Sequence, residues 1–325
     1  MTEVSTPNRV FITGALGFIG RRLAERYRAV GVQVSGVDMQ ADPALGVVAG
    51  DITEPGNWQD ALKGAETVIH TAARVGFCGS AESYWRVNSD ATRKVLDAAV
   101  KAGVRRFVHI SSIVAFGFDY PDGVDERHPL RTNGVPYVDT KVASEWVVLQ
   151  AHAAGEMNCT IIRPGDVYGP GSYFFTVIPV REIAARRFVL PAMGRGHVSP
   201  VFIDDLVEGI VLAAGHEAAS GQVFTLTGGV TVESREFFSY YSRMLRNRIV
   251  FVAPTAVVLA IAATTGRFIG SGEASMATIR YLARKGGYSI EKARSRIGYH
   301  PTTDLAEGMR HAETWLRENN ILPRN

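Results

Sequence analysis

Tyr137 and Lys141 stand four residues apart in Pro136-Tyr137-Val138-Asp139-Thr140-Lys141. On a helix, positions i and i+4 share a face. An ammonium beside a phenol favours the phenolate and lowers its pKa. A tyrosine so placed can give or take a proton near neutral pH. Ser112, in His109-Ile110-Ser111-Ser112, offers a hydroxyl that can hold and polarise a substrate oxygen. A tyrosine and a lysine at this spacing arise often by chance. The pair gains weight here because it falls between two strand-like runs.

A second group suits a phosphate-bearing ligand. Thr13-Gly14-Ala15-Leu16-Gly17-Phe18-Ile19-Gly20 follows one β-branched run directly and opens a helical one. Gly14 lets the chain turn, Gly17 lets backbone approach a pyrophosphate, and Gly20 lets the helix pack close to the sheet. Phe18 and Ile19 begin the helix, whose first N–H groups and partial positive charge suit an anion. The spacing is GxxGxxG rather than GxGxxG, and a glycine-rich turn without a ligand is the alternative. Asp38 follows Gly20 by 18 residues. A carboxylate there accepts hydrogen bonds from adenosine ribose hydroxyls and repels a 2′-phosphate. No Arg or Lys lies between Asp38 and Gly50, so NAD(H) is expected over NADP(H). Asp51, with Ile52 beside it, is placed to cap the adenine amine.

These residues need a scaffold, and the first half of the chain alternates short apolar runs with helical ones. Arg9–Thr13, Val32–Val37, Val47–Gly50, Thr67–Thr71, Arg106–Ile110 and Thr160–Arg163 read as strands; 18–30, 84–102 and 137–154 read as helices. Strands apolar throughout and separated by helices indicate an α/β fold, a Rossmann-type doubly wound parallel sheet. Past Gly165 the pattern loosens. Asp204–Ala214 reads as a helix with Asp204 as its N-cap, Val223–Leu226 as one more core strand, and Leu305–Glu318 as a final helix. The expected division is a nucleotide-binding part over 1–170, rejoined around 201–228, and a smaller, mainly helical substrate-binding part over 171–200 and 229–325.

Composition excludes several classes. With 35 Lys+Arg against 32 Asp+Glu the net charge is +3, too balanced for a general nucleic-acid binder. Cys78 and Cys159 cannot build a disulfide framework, and no Cys/His spacing suggests zinc. Met1–Pro7 lacks the features of a secretory leader. The longest apolar run, Ile249–Ala263, is 15 residues, short of the ~20 that span a bilayer. A soluble, cytoplasmic protein is expected.

With these motifs in view, the chain resembles an extended short-chain dehydrogenase/reductase, of the superfamily that includes NAD-dependent epimerase/dehydratases. Further matching pieces are His70-Thr71-Ala72-Ala73, Val87-Asn88, Arg163-Pro164-Gly165-Asp166-Val167-Tyr168-Gly169-Pro170, Phe202-Ile203-Asp204-Asp205, Leu226-Thr227-Gly228-Gly229 and Ile297-Gly298-Tyr299-His300-Pro301. The resemblance implies that Tyr137 is the catalytic acid/base and that Lys141 also bonds the nicotinamide ribose. It makes Ser112 the second ligand of the substrate oxygen. Thr71, Ala72 and Ala73 would pass under the cofactor, and Pro164 and Val167 would lie near the carboxamide. Asn88 matches a position that orders the helix and the site and is counted with the cofactor residues; a purely structural role is the alternative. A homodimer is also implied.

Two departures bear on the branch. Nucleotide-sugar members usually carry an Arg where this chain has Val198, and Arg195 stands out of register. Tyr173-Phe174-Phe175 is more apolar than a diphosphate site wants. Ile249–Ala263 with Arg267-Phe268-Ile269 looks like the apolar insert of 3β-hydroxysteroid dehydrogenase-like and dihydroflavonol reductase-like members, where it helps cover a hydrophobic substrate. A core helix and a membrane contact are the other readings of that run. The expected activity is NAD-dependent interconversion of a secondary alcohol and a ketone on a steroid-like or isoprenoid-like substrate. The alternatives are a nucleotide-sugar epimerase or dehydratase with retained NAD, and a non-catalytic NAD-sensing protein.

Overall fold

The computed structural model describes residues 5–246, 248–265 and 276–322. The first half runs β1 (Arg9–Thr13), α1 (Phe18–Ala29), β2 (Gln33–Asp38), β3 (Val47–Ala49), β4 (Thr67–His70), α2 (Ala81–Tyr84), α3 (Ala91–Lys101), β5 (Arg106–Ile110) and α4 (Pro136–Ala153). It continues through β6 (Asn158–Pro164), β7 (Asp166–Tyr168), α5 (Ile178–Ala184), β8 (Val189–Leu190), β9 (His197–Val198), β10 (Pro200–Phe202) and α6 (Ile203–Gly215). The rest comprises β11 (Val223–Leu226), β12 (Val232–Glu233), α7 (Ser234–Met244), β13 (Phe251–Val252), α8 (Thr255–Thr265), α9 (Met276–Leu282), α10 (Glu291–Ile297) and α11 (Leu305–Glu318).

Seven strands form one sheet in the order β11-β6-β5-β4-β1-β2-β3, parallel throughout. Every residue of β4 and β5 is buried, as expected of strands covered on both faces. The strand order reverses at β1, which leaves a crevice at the carboxyl ends of β1 and β4. Register aligns those ends: Thr13 pairs with Val37 and with His70, and His70 with His109. The glycine loop, Asp38, Thr71 and Ser111 therefore leave the sheet along one edge.

Two helix readings change. The helix expected over 84–102 is α2 and α3 joined by a π-helical turn, Trp85–Asp90. Asp204 does not cap α6; Phe202 holds that position. Asp204 lies in the first turn and pairs with Arg22 at 2.5 Å, and Glu208 pairs with Arg26 at 2.9 Å. Arg22 and Arg26 of α1 thus bind α6.

Ile249–Ala263 also departs from expectation. It is neither one helix nor a cover of the main cavity; it forms β13 and α8, and of its residues only Val258 is buried. Arg267-Phe268-Ile269 lies outside the described residues. Among the described residues no helix is long and apolar enough to cross a membrane.

Candidate active site

The glycine loop is fixed by close contacts. Gly14 has φ +66°, and a Cβ there would sit 3.0 Å from the Ala72 nitrogen. A Cβ on Gly20 would sit 2.1 Å from the Gly14 carbonyl oxygen. Gly20 is therefore required by the loop that precedes it more than by the sheet. Gly36, which the motif did not flag, is equally constrained: a Cβ would lie 2.6 Å from the Ala15 Cβ. Gly17 begins α1, and no side chain caps that end, so the first-turn N–H groups suit an anion.

Asp38 ends β2. Its carboxylate accepts from the Leu16 N–H at 2.8 Å and the Met39 N–H at 2.7 Å. The Thr53 N–H donates to Asp51 at 2.8 Å and holds that carboxyl below its usual range. These features fit an adenosine diphosphate: an uncapped helix terminus, a cradle closed by any Cβ, and oriented carboxylates beyond it.

A cavity of about 720 Å³ brings the two expected groups together. Its wall includes Gly14, Gly17, Phe18, Ile19, Asp38, Asp51, Ile52, Thr71, Ala72, Ala73, Ser112, Tyr137, Lys141, Pro164 and Val167. Gly20 and Asn88 stand behind that wall. Within the π-helical turn, Asn88 donates to the Arg74 carbonyl at 3.0 Å and to Thr140 Oγ1 at 3.2 Å, and accepts from the Arg74 N–H at 2.7 Å. Its amide thus ties the loop after β4 to α4, in keeping with either reading of Asn88, as an ordering position of the site or as a purely structural one.

Tyr137 and Lys141 occupy the first two turns of α4, started by Pro136. Burial pushes the Tyr137 phenol up to about 12, a hydrogen bond with Ser112 pulls it down, and Tyr84 adds to the rise. Burial brings the Lys141 ammonium down to about 8, and its Nζ donates to the Ile110 carbonyl at 2.8 Å. In the chain by itself the phenol thus lies above its ordinary value, where the sequence reading expects a lowered one. Ser111 donates to Glu145 Oε1 at 2.5 Å, and Arg163 holds the same carboxylate at 2.9 and 2.7 Å. The Ser111 hydroxyl is thereby committed, while Ser112 bonds with Tyr137.

The remaining wall is mostly apolar and rich in aromatic rings. Phe77, Phe174, Phe175, Phe188, Phe238 and Tyr281 line it. Phe77 packs on Tyr137 with centroids 5.8 Å apart and on Tyr281 at 5.5 Å. Tyr281 donates to buried Asp166, which also accepts from Arg284 and, at 2.7 Å, from the Ser199 N–H. Sequence reasoning missed this cluster, because 115 residues separate Tyr281 from Asp166 and no local motif joins them. Val198 is fully buried in β9 and, like Arg195 and Arg74, lies outside the lining. Among the described residues the cations on the wall are Arg86 and Lys141, and no cluster of His, Cys, Asp or Glu is placed to hold a metal.

A doubly wound parallel sheet with a glycine loop after β1 and a helical C-terminal part defines an extended short-chain dehydrogenase/reductase. The chain belongs to the NAD dependent epimerase/dehydratase family, whose model matches residues 10–226. It is 27% identical to the bovine (Bos taurus) sterol-4-alpha-carboxylate 3-dehydrogenase, decarboxylating, across 94% of this chain and 92% of that protein. It is 32% identical to a 3-beta-hydroxysteroid dehydrogenase of Mycolicibacterium neoaurum, across 70% of this chain and 68% of that one. Among solved structures, MoeE5 in complex with UDP-glucose and NAD is 26% identical with a TM-score of 0.78, covering 96% of this chain and 99% of its own.

Proposed function

We propose that this protein is an NAD(H)-dependent dehydrogenase that interconverts a secondary alcohol and a ketone on a hydrophobic, ring-bearing substrate. The observation that carries this reading is the asymmetry of the cavity: Ser112, Tyr137 and Lys141 on one side, a mostly apolar wall rich in aromatic rings on the other. The steroid and sterol dehydrogenases among its relatives support it.

NAD would be held by the glycine loop, Asp38, Asp51 and Lys141, and when bound it supplies the hydride acceptor and a positively charged ring. Ser112 holds the substrate oxygen by a hydrogen bond. Tyr137 takes the hydroxyl proton during oxidation and returns it during reduction. Lys141 adds positive charge behind the phenol and stabilises its deprotonated form. Asp38 selects the adenosine ribose that bears no 2′-phosphate. The aromatic wall excludes water and orients the rings.

One observation favours a second reading: the solved structure of MoeE5 holds UDP-glucose and NAD, which suggests a nucleotide-sugar epimerase or dehydratase. Diphosphate recognition uses cations in fixed positions, and Val198 stands where one is expected. A panel of hydroxysteroids, hydrophobic ketones and UDP-sugars, followed by NADH absorbance and calorimetry, separates the two. NAD-linked turnover of a hydrophobic alcohol is the expected result. Micromolar UDP-glucose binding with no turnover of the hydrophobic panel would assign the site to the second reading.

A further inference from the structure

The run from Ile249 does not line the cavity; Val258 is buried and Val250 packs against the core, but most of its other apolar side chains face outward. Ile249 is 66% exposed, Val257 47%, Phe251 42% and Val252 41%. We infer that this face docks on an anionic bilayer surface and sets the cavity beside the source of a hydrophobic substrate. The second clause rests on the function proposed above; the docking itself does not.

Charge is the first support. Residues 237–272 contain no Asp or Glu, while Arg246 and Arg248 immediately precede the apolar run. Strand pairing adds a second basic pair that sequence order conceals. β13 runs parallel to β8 with Phe251 opposite Val189, so the segments entering both strands lie at one end. Arg186 and Arg187 therefore join Arg246 and Arg248, and all four are exposed. Arg187 is shared with Glu182 at 3.0 Å; Arg186, Arg246 and Arg248 appear in no ion pair among the described residues. Exposed apolar side chains with arginines along one border match the interfacial zone of a membrane carrying anionic lipid.

Continuity is the second support. Phe188, Val189 and Pro191 line the cavity from β8 and its flanks, and β13 is the outer partner of that strand. α8 packs on α9, whose Ile279 and Leu282 also line the cavity. The exposed face thus lies on the outer side of elements that line the cavity. A second copy of this chain is the rival occupant, since β13 is an open edge. A two-fold contact through this face would set like arginine clusters close together, which is repulsive.

The test is co-sedimentation of the full-length protein with unilamellar vesicles of phosphatidylcholine, either pure or with about a third phosphatidylglycerol. Binding to the anionic vesicles, weak binding to the neutral ones, and release by high salt are expected. Arg246→Glu with Arg248→Glu should lower partitioning at least ~10-fold, since each arginine near the surface is worth roughly five-fold. Phe251→Ser with Val257→Ser should lower it comparably, and both variants should keep wild-type turnover of detergent-dispersed substrate. The arginine variant carries the test if the serine variant does not fold. Failure to bind anionic vesicles, or binding that neither variant weakens, overturns the inference. A change from dimer to monomer in the variants without any lipid binding assigns the face to a second copy. Vesicle binding with no turnover of any hydrophobic alcohol removes the dehydrogenase reading and leaves the docking intact.

Discussion

The two walls of the cavity are built differently. On the sheet side, functional side chains are tied to main chain: Asp38 by the Leu16 and Met39 N–H groups, Lys141 to the Ile110 carbonyl, and Ser112 by the Val114 N–H at 3.2 Å. On the far side rings hold rings, as with Phe188 on Phe238 at 4.8 Å and Phe237 on Phe238 at 5.1 Å. A wall tied to backbone positions atoms for one chemistry and tolerates little change. A wall of packed rings can be repacked for another ligand at small cost.

Removing one oxygen from the sheet side is the sharpest way to break this contrast. Tyr137→Phe should lower turnover by at least ~100-fold while NAD binding, read by calorimetry, stays unchanged. Near-normal turnover in the folded variant would take Tyr137 out of its role.

Acid should also separate the walls. His70 and His109 lie buried behind the sheet side, stacked 5.5 Å apart, and burial holds His70 down to about 3 and His109 well below its ordinary value. An unfolded histidine titrates near ~6.5. Between these values the unfolded chain binds protons that the folded chain does not, so stability falls as pH drops below ~6.5. His70 alone accounts for about 2 kcal/mol by pH ~5. Thermal midpoints that stay level from neutral pH to that point would show that the histidines are not kept neutral.

Cofactor choice comes next. Asp38→Ala with Met39→Arg should shift the NAD/NADP preference by roughly ten-fold or more, the worth of a charge-assisted hydrogen bond, without altering substrate KM. A wild-type protein that prefers NADP(H) would refute the role of Asp38.

The smallest effect belongs to the aromatic side. Tyr281→Ala should raise KM for a ring-bearing substrate about five-fold with little change in kcat, as loss of apolar contact in a pocket does. Tyr281→Phe keeps the ring and loses the bond to Asp166, so an intermediate KM is expected. A fall in kcat with KM unchanged would instead place Tyr281 in the chemistry.

The sheet side was the legible side. Gly14, Asp38, Thr71 and Ser112 follow strand ends, and a parallel sheet sends its strand ends to one edge, so their meeting follows from alternation alone. Tyr137 and Lys141 follow from helix periodicity. Asn88 was placed in the right neighbourhood, but its partners Arg74 and Thr140 come together through a π-helical turn that local residue type does not announce. The Asp166, Tyr281 and Arg284 cluster stayed hidden because packing, and no spacing, brings it together. Proximity to Lys141 predicts a lowered Tyr137 pKa, whereas burial raises it, and depth of burial is a property of the whole fold. Ile249–Ala263 misled for a related reason: apolar composition says that a segment avoids water, without saying what shields it.

The position of β11 carries a consequence for synthesis and dissection of the chain. Val223–Leu226 pairs with Ile161–Pro164 and completes the sheet. Until those four residues have left the ribosome, the edge of β6 stands open, with Ile161 and Ile162 flanked by unpaired main chain. A fragment ending near residue 170 would hold every glycine of the phosphate loop and the whole Ser112, Tyr137 and Lys141 set, yet present an apolar parallel edge of the kind that recruits other chains. Truncation near residue 170 is therefore expected to leave the sheet unfinished, because the strand that closes its β6 edge comes from Val223–Leu226, after the intervening β7 to α6.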